Sequence, residues 1–224
     1  MKKLTFSALF AASLFVSAGT IATAQTKNVV AVKNTKAAKN AAYQVDATKS
    51  QLTWNGKKVT GEHTGTINVA NGQILVAGNK VTGGTFDIDM TSIKNTDLTD
   101  PEYNGKLIGH LKSDDFFSVE KNPKATFKIT SVTPIKGAKA GQANYTVQGN
   151  LTIKGITNAI SFPAAVAVNN GTATAKGVAT LDRTKWDIRY GSKSFFANIG
   201  DKAINDDFTL DFNIVAKQND LARL

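Results

Sequence analysis

Few side chains in this sequence could carry out acid–base or metal chemistry, and they are scattered along it. The 224 residues include two histidines, His63 and His110, and no cysteine. His63 follows Glu62 directly, but neighbours on an extended strand point to opposite faces, so the two cannot act on one substrate. A zinc site needs three or four ligands at regular spacing, which does not occur here. We therefore predict no catalytic residue, no metal site and no cofactor, and a protein that is not an enzyme.

A second polar feature is Arg183, which follows Asp182 and precedes Trp186 and Asp187. An arginine can hold a carboxylate or a phosphate through two parallel hydrogen bonds. Its more common role is structural, stacked on a tryptophan and paired with a neighbouring aspartate. We predict the structural role, in which Arg183 fixes a corner of the fold.

Apolar residues that alternate with polar ones dominate residues 43–217. This alternation predicts strands with one buried face. Asn71-Gly72 and Asn170-Gly171 are typical of tight turns between antiparallel strands. About eight short strands with such turns favour an all-β fold, a closed or nearly closed antiparallel β-barrel. A β-sandwich is the alternative, because alternation alone does not separate the two architectures.

The alternation breaks over residues 97–119. Thr99-Asp100-Pro101-Glu102 has the form of a capping box with a proline in the first turn, which predicts a helix that begins there with Thr99 as its N-cap. Ser113-Asp114-Asp115 resembles a second N-cap. The segment therefore predicts one or two short helices inserted between strands. We expect Phe116 and Phe117 to turn inward, so that the segment covers one end of the barrel.

The interior of a barrel with about eight strands is either filled by side chains or holds one small ligand. Ala173, Ala175, Gly177 and Ala179 give one strand a nearly bare inward face, which leaves room unless large side chains opposite fill it. Strand parity and the helical segment place the following candidate ligand-binding residues in the lumen: Trp54, His63, Phe86, Ile88, Met90, Leu107, Phe116, Phe117, Phe127, Ile129, Leu151, Ile153, Phe162, Ala175, Ala179, Leu210 and Phe212. Such walls suit an alkyl or isoprenoid chain, at about 0.8 kcal/mol for each buried methylene. From the residues alone, a filled barrel that acts through its outer surface is equally compatible.

The first residues predict export from the cytoplasm. Lys2-Lys3, an apolar run over residues 4–16 and Ala22-Thr23-Ala24 follow the order of a secretory signal peptide, with cleavage before Gln25. We therefore predict a location in the periplasm or outside the cell.

Four parts of the chain are expected: a signal peptide (1–24), a flexible spacer (25–42), the barrel (43–217) and a tail (218–224). The alternative for the spacer is a short basic amphipathic helix on a membrane surface. Removal of residues 1–24 takes away two lysines and no acidic residue, so the formal net charge of +10 becomes +8.

The basic residues are spread along the chain and do not form a cluster, and export would separate the protein from cytoplasmic nucleic acid. We therefore predict a hydrophobic small molecule as the partner and no nucleic acid. Transient membrane contact and a homodimer are two further hypotheses about partners.

Four motifs in sequence order resemble those of the YceI-like family. They are Tyr43-Gln44-Val45-Asp46 with Ser50, residues 110–120 with Pro123 and Phe127, residues 149–157, and Asp182-Arg183 with Trp186. The resemblance covers the whole expected barrel. It implies an exported, lipocalin-like antiparallel β-barrel that binds polyisoprenoids, isoprenoid quinones or related long-chain amphipathic lipids in its lumen, without a defined enzymatic reaction. No binding residue carries over by motif, and residues 193–196 depart from the family's usual pattern.

Overall fold

The computed structural model describes residues 40–218, and the strands in this range form one closed sheet. The strands are β1 (Ala41–Val45), β2 (Gln51–Lys58), β3 (Gly61–Ala77), β4 (Lys80–Asn95), β5 (Lys124–Pro134), β6 (Tyr145–Ile153), β7 (Ile156–Asn169), β8 (Thr172–Asp182) and β9 (Ile204–Gln218). A single α-helix in this range, α1 (Pro101–Lys112), connects β4 to β5. Two short 3₁₀ turns, Arg183–Trp186 and Gly200–Lys202, lie between β8 and β9.

Eight strands close the barrel in the order β3-β2-β9-β8-β7-β6-β5-β4, and the pairing of β3 with β4 completes the ring. Every pairing is antiparallel. The prediction of an antiparallel β-barrel with a short helical insertion is confirmed. The sandwich alternative is wrong, because continuous pairing around the ring leaves no separation into two sheets.

The extra strand β1 shares one position in the ring with β2. Both strands pair with β3 on one side and with β9 on the other. Between them the chain leaves the sheet, and Ser50 Oγ accepts a hydrogen bond of 3.1 Å from the backbone N–H of Val215. The Asp46 N–H donates to the Val215 carbonyl at 2.8 Å. The hydrogen bonding of β9 is therefore satisfied where its neighbour is interrupted.

One predicted turn is wrong and another is confirmed. Asn71-Gly72 lies inside β3, at a bulge where the register with β4 shifts. Glycine is needed there because a Cβ on Gly72 would lie 2.9 Å from the Thr85 carbonyl oxygen, so the pair marks a close approach and not a reversal. The chain reverses instead at Gly78, with φ of +60°. Asn170-Gly171 does form a turn with positive φ at both residues.

The helical insertion differs from the prediction at both ends. The N-cap of α1 is Asp100 and not Thr99, because Asp100 Oδ1 accepts from the N–H groups of Glu102 at 2.8 Å and Tyr103 at 3.1 Å. Ser113 is the C-cap of the same helix rather than the N-cap of a second one, and its hydroxyl donates to the His110 carbonyl at 2.8 Å.

The chain after α1 folds back as turns, because its backbone satisfies the last carbonyls of the helix. The N–H of Phe117 donates to the Leu111 carbonyl at 3.2 Å, and the N–H of Val119 to the Lys112 carbonyl at 2.9 Å. These bonds bring Phe116 and Phe117 beneath the helix. The expected inward cover over one barrel end is thus formed by one helix and a returning loop.

The barrel domain begins slightly earlier in the sequence and ends slightly later than expected. β1 begins at Ala41 and β9 ends at Gln218, so the last two residues of the predicted spacer and the first of the predicted tail lie in strands. The signal peptide, the rest of the spacer and the rest of the tail lie outside the described residues. No helix within residues 40–218 is long and apolar enough to span a membrane.

Candidate ligand-binding lumen

The barrel interior contains two adjacent cavities. The helix-end cavity, about 190 Å³, lies beneath Leu107 and Leu111 of α1. The distal cavity, about 110 Å³, lies in the other half of the barrel. Four residues line both cavities: Ile88, Leu151, Leu181 and Leu210. The two cavities are therefore neighbouring parts of one lumen along the barrel.

Each side chain that strand parity or the helical segment assigned to the lumen lies on one of these walls. The helix-end cavity is lined by Trp54, His63, Met90, Leu107, Phe116, Phe117 and Ile153. The distal cavity is lined by Phe86, Phe127, Ile129, Phe162, Ala175, Ala179 and Phe212. Ile88, Leu151 and Leu210 line both. Ligand binding by these residues stays a prediction.

Other parts of both walls were missed by the sequence reasoning. In the distal cavity they include Leu52, Val69, Ile74, Val147 and Ile214. Alternation within their strands could have found these, because each shares a face with an assigned residue or a core residue. At the helix end, Ile188 and Arg183 come from the connection between β8 and β9. No periodicity marks the path of that connection, so only the fold brings them to the lumen.

Four phenylalanine rings form a girdle around the distal cavity, on β4, β5, β7 and β9 in turn. Successive ring centroids are 6.2 Å apart for Phe86 and Phe127, 5.6 Å for Phe127 and Phe162, and 5.2 Å for Phe162 and Phe212. Aromatic pairs at these separations attract one another beyond the burial of their area. The girdle is therefore a well-packed part of the wall.

Glycines on the two intervening strands determine where these rings lie. A Cβ on Gly149 of β6 would lie 2.4 Å from the Phe127 ring, and one on Gly177 of β8 would lie 2.8 Å from the Phe212 ring. Each ring thus occupies the space above a glycine, against the barrel wall. The bare face of β8 serves two purposes: Gly177 accommodates a ring, while Ala175 and Ala179 border the open cavity.

We expect Gly177→Val to lower the free energy of unfolding by about 1–3 kcal/mol, because the new side chain must displace the Phe212 ring and the Pro163 carbonyl, 2.7 Å from the Cβ position. Denaturant unfolding measures this loss. Gly56→Val on β2 is the matched control, since no atom lies within 4 Å of its Cβ position. Equal losses in the two variants would show that strand glycines, and not the ring above Gly177, determine the cost.

Polar side chains border the lumen only at the helix end, and the sequence singled out two of them, Arg183 and His63. His63 lies beside Asp97. Its Nδ1 lies 2.8 Å from Asp97 Oδ2, while Asp97 Oδ1 accepts from the Thr64 N–H at 2.8 Å and from the Asn95 amide. Burial raises the pKa of Asp97, but the hydrogen bonds from His63, Thr64 and Asn95 lower the pKa by more than burial raises it. The pKa of Asp97 is therefore below the ordinary carboxyl value. Asp97 is therefore anionic and holds His63 against the wall.

His110 makes structural contacts at the end of α1. Its Nε2 lies 3.0 Å from Asp115 Oδ2, and its ring packs edge-on against Phe116 at 4.9 Å and Tyr190 at 4.5 Å. These contacts join α1, the returning loop and the connection between β8 and β9. Across residues 40–218, no group of three or more His, Asp, Glu or Cys side chains could hold a metal ion.

Arg183 fixes the corner after β8, but with different partners from those expected. Its side chain is buried, with 4% of the residue exposed. The guanidinium donates to four backbone carbonyls at 2.8–3.1 Å: those of Ile188, Tyr190, Ile204 and Asn205. Its carboxylate partner is Asp206, at 3.4 Å. The connection to β9 and the first residues of β9 thus supply the acceptors that the sequence assigned to nearer residues.

The two neighbours first assigned to Arg183 have other roles. Trp186 is buried and its Nε1 donates to the Leu151 carbonyl at 3.1 Å, while Asp182 caps the 3₁₀ turn by accepting from the Thr184 N–H at 3.0 Å. Burial lowers the pKa of Arg183, against the attraction of Asp206 and Asp182. Burial raises the pKa of Asp206, but hydrogen bonds from Ser192 and Ser194 and the charge of Arg183 bring it below the ordinary value.

Comparisons with known proteins agree with this architecture. The chain is 42% identical over 55 residues to a UPF0312 protein of Pseudomonas aeruginosa strain LESB58, and the match spans 26% of that relative's length. The crystal structure of Burkholderia cenocepacia BcnA superposes with a TM-score of 0.57 at 26% identity, over 77% of this chain and 99% of that one.

A second solved structure shows the same fold. It is a polyisoprenoid binding domain from Saccharophagus degradans, with a TM-score of 0.57 at 19% identity over 80% of this chain and 99% of that one. The model of the YceI-like domain matches residues 43–216, which is nearly the entire barrel. The chain therefore belongs to the YceI-like family.

Proposed function

We propose that this protein is an exported lipid-binding protein that holds a polyisoprenoid or another long-chain amphipathic molecule in its barrel lumen. The observation that carries the proposal is the apolar lumen, in which two cavities share the walls formed by Ile88, Leu151, Leu181 and Leu210. Carriage, storage and sequestration of the ligand are all compatible with such a site.

The arrangement of polar groups favours an amphipathic molecule over a plain hydrocarbon. Every side chain that lines the distal cavity is apolar, whereas Lys57, Lys58 and His63 border the helix-end cavity. A chain in the distal half would gain about 0.8 kcal/mol for each buried methylene. Its polar head would remain at the helix end, where charged side chains and solvent are available.

The relatives support the same ligand class. The Saccharophagus degradans domain of the same fold is described as polyisoprenoid binding, and membership of the YceI-like family points in that direction. The alternative of a filled barrel requires side chains to occupy the interior. The cavities of about 190 and 110 Å³ argue against a filled barrel. We propose a binding protein and not an enzyme.

Location and assembly are further parts of the proposal. Export to the periplasm or beyond is supported by the order of features in residues 1–24. A transient membrane contact would let an insoluble ligand enter and leave. The homodimer stays a prediction, which sedimentation of the purified protein would check.

The proposal is tested on protein purified from the periplasm of an exporting host. We expect native mass spectrometry to show a co-purifying hydrophobic molecule, and the delipidated protein to take up a fluorescent polyene fatty acid in competition with a polyprenol. A protein that is isolated empty and also fails to take up the polyene would refute lumen binding.

A further inference from the structure

Exposed large apolar side chains are concentrated at one end of this barrel. Within the described residues they are Val59, Tyr103, Ile156, Val178, Tyr190, Phe195 and Phe196. All except Val178 lie at the end where the helix-end cavity lies: Tyr103 in α1, Ile156 as the first residue of β7, and the others in strand connections. The connections at the opposite end contribute none of them. A soluble surface rarely keeps so one-sided an apolar distribution without a partner for it.

Phe195 and Phe196 are the most prominent of these residues, with 44% and 50% of their surface exposed. Their backbone is anchored: both N–H groups donate to the carbonyl of Ser192, at 3.2 and 3.0 Å. Ser192 itself is fully buried, and the neighbouring Gly191 carbonyl accepts from the Ile204 N–H at 2.8 Å. The two rings are thus held at the surface by a buried turn.

One basic side chain contacts the Phe195 ring, and others lie on the same connection or on the neighbouring hairpin. The Arg189 guanidinium lies 4.7 Å from the centre of the Phe195 ring, and Lys193 and Lys202 are exposed on the same connection. Lys57 and Lys58 are on the adjacent β2–β3 hairpin, which is joined to this connection by a hydrogen bond of 3.2 Å from the Val59 N–H to the Ala203 carbonyl.

On the β2–β3 hairpin and the β8–β9 connection, acidic groups only partly offset that charge. Asp187 pairs with Arg189, Glu62 pairs with Lys57, and Asp201 is exposed. Basic side chains therefore remain in excess around the apolar pair. Exposed aromatic rings next to lysine and arginine are the combination with which peripheral proteins bind the interface of anionic membranes.

We propose that this end of the barrel docks onto an anionic lipid bilayer, with Phe195 and Phe196 inserted among the head groups and Arg189, Lys193 and Lys202 against the lipid phosphates. A second copy of this chain fits the surface less well, because two such basic surfaces repel each other. This inference rests on the proposed function in one respect: docking would give the lumen ligand a route between the bilayer and the barrel.

Docking would bring the entrance of the lumen to the membrane surface. Lys58 of β2 pairs in register with Ile204 of β9, and both residues line the helix-end cavity. Ile204 also follows directly on the connection that carries the two exposed rings. A lipid chain could then pass from the bilayer into the cavity with little exposure to water.

The test is flotation of the exported protein with vesicles of phosphatidylethanolamine and phosphatidylglycerol, and with vesicles of phosphatidylcholine. We expect the wild-type protein to bind the anionic vesicles, and Phe195→Ser/Phe196→Ser to reduce that binding by at least about tenfold. Lys193→Glu/Lys202→Glu should reduce binding to the anionic vesicles, and added salt should weaken the wild-type interaction. Wild type and variants are all purified from the periplasm of the exporting host, so the predicted signal peptide is removed from each of them and residues 25–39 contribute equally throughout.

Val178→Ser is the control, because it removes an exposed apolar side chain from the outside of β8, away from the proposed surface. It should leave vesicle binding unchanged. The double phenylalanine variant should still take up the fluorescent polyene from solution, which separates loss of docking from loss of lumen binding. Unchanged vesicle binding by that variant would overturn the proposal. The proposal would also be overturned if the wild-type protein is a dimer that does not bind vesicles and the double phenylalanine variant is a monomer.

Discussion

Arg183→Met should lower the free energy of unfolding by about 3–5 kcal/mol, because an acceptor left without its donor inside a protein costs about 1–3 kcal/mol and this change affects several acceptors at once. The substitution leaves the Asp206 carboxylate without its cation and removes the donor of four backbone carbonyls. Methionine fills similar space but donates no hydrogen bond, so these acceptors lose their partner inside the protein. Denaturant unfolding at neutral pH measures the difference.

Neutral pH matters because the pKa of Asp206 is lowered in the folded protein. A lowered carboxyl pKa contributes stability above the pKa of the unfolded state, and that contribution is lost as the pH falls through the folded value. In acid the wild-type protein would already have lost part of what the substitution removes. The full difference is therefore seen only above the ordinary carboxyl range.

Arg189→Met is the matched control for this prediction. Arg189 is exposed, and its contacts are a surface pair with Asp187 and a stack on Phe195. Exposed pairs of this kind contribute about 0–1 kcal/mol. Arg183→Lys should fall between the two, because a lysine keeps the charge but cannot reach four carbonyls in different directions. Similar losses for Arg183→Met and Arg189→Met would contradict the assigned role of the corner.

The walls of the lumen were predictable because alternation in a strand has a direct geometric meaning. Phe86 and Ile88, like Phe127 and Ile129, are two residues apart on one strand, and such residues must face the same side of the sheet. In a closed barrel, one side of the sheet is the lumen. Alternation along each strand was therefore sufficient to assign these side chains to the lumen, even where the predicted end of the strand was wrong.

Features that depend on tertiary packing were not predictable in the same way. Asn71-Gly72 is compatible with both a tight turn and a bulge, and the contact with Thr85 that decides between them comes from the paired strand. Arg183 bonds carbonyls that lie up to 22 residues further along the chain. Ile188 reaches the lumen through a connection with no regular period. For these residues the sequence indicates a role but not a partner.

Small residues on the same face of β8 have different structural roles. Ala175 and Gly177 appeared equivalent in the sequence, as small residues on the inward face of β8. In the structure the Phe212 ring lies over Gly177, whereas Ala175 borders the distal cavity. Only the position of the ring on β9 separates a packed site from an open one. A substitution at Ala175 therefore probes the cavity itself.

Ala175→Leu should reduce the affinity for a long-chain ligand roughly fiftyfold while the protein remains folded. The substitution adds three carbon atoms to the wall of the distal cavity, where they would displace about three methylenes of a bound chain. At about 0.8 kcal/mol for each methylene, the loss is about 2.4 kcal/mol. Titration of the delipidated protein with the fluorescent polyene measures the affinity, and denaturant unfolding measures the stability.

The filled barrel predicts a different result for the same change. With no cavity, the leucine would overpack the interior and destabilise the protein by about 1–3 kcal/mol. Ala167→Leu provides the control, because Ala167 is exposed on the outer face of β7, the strand next to Ala175. It makes the same chemical change outside the barrel, so neither stability nor uptake should alter. A loss of stability in Ala175→Leu without any loss of uptake would place the ligand outside the lumen.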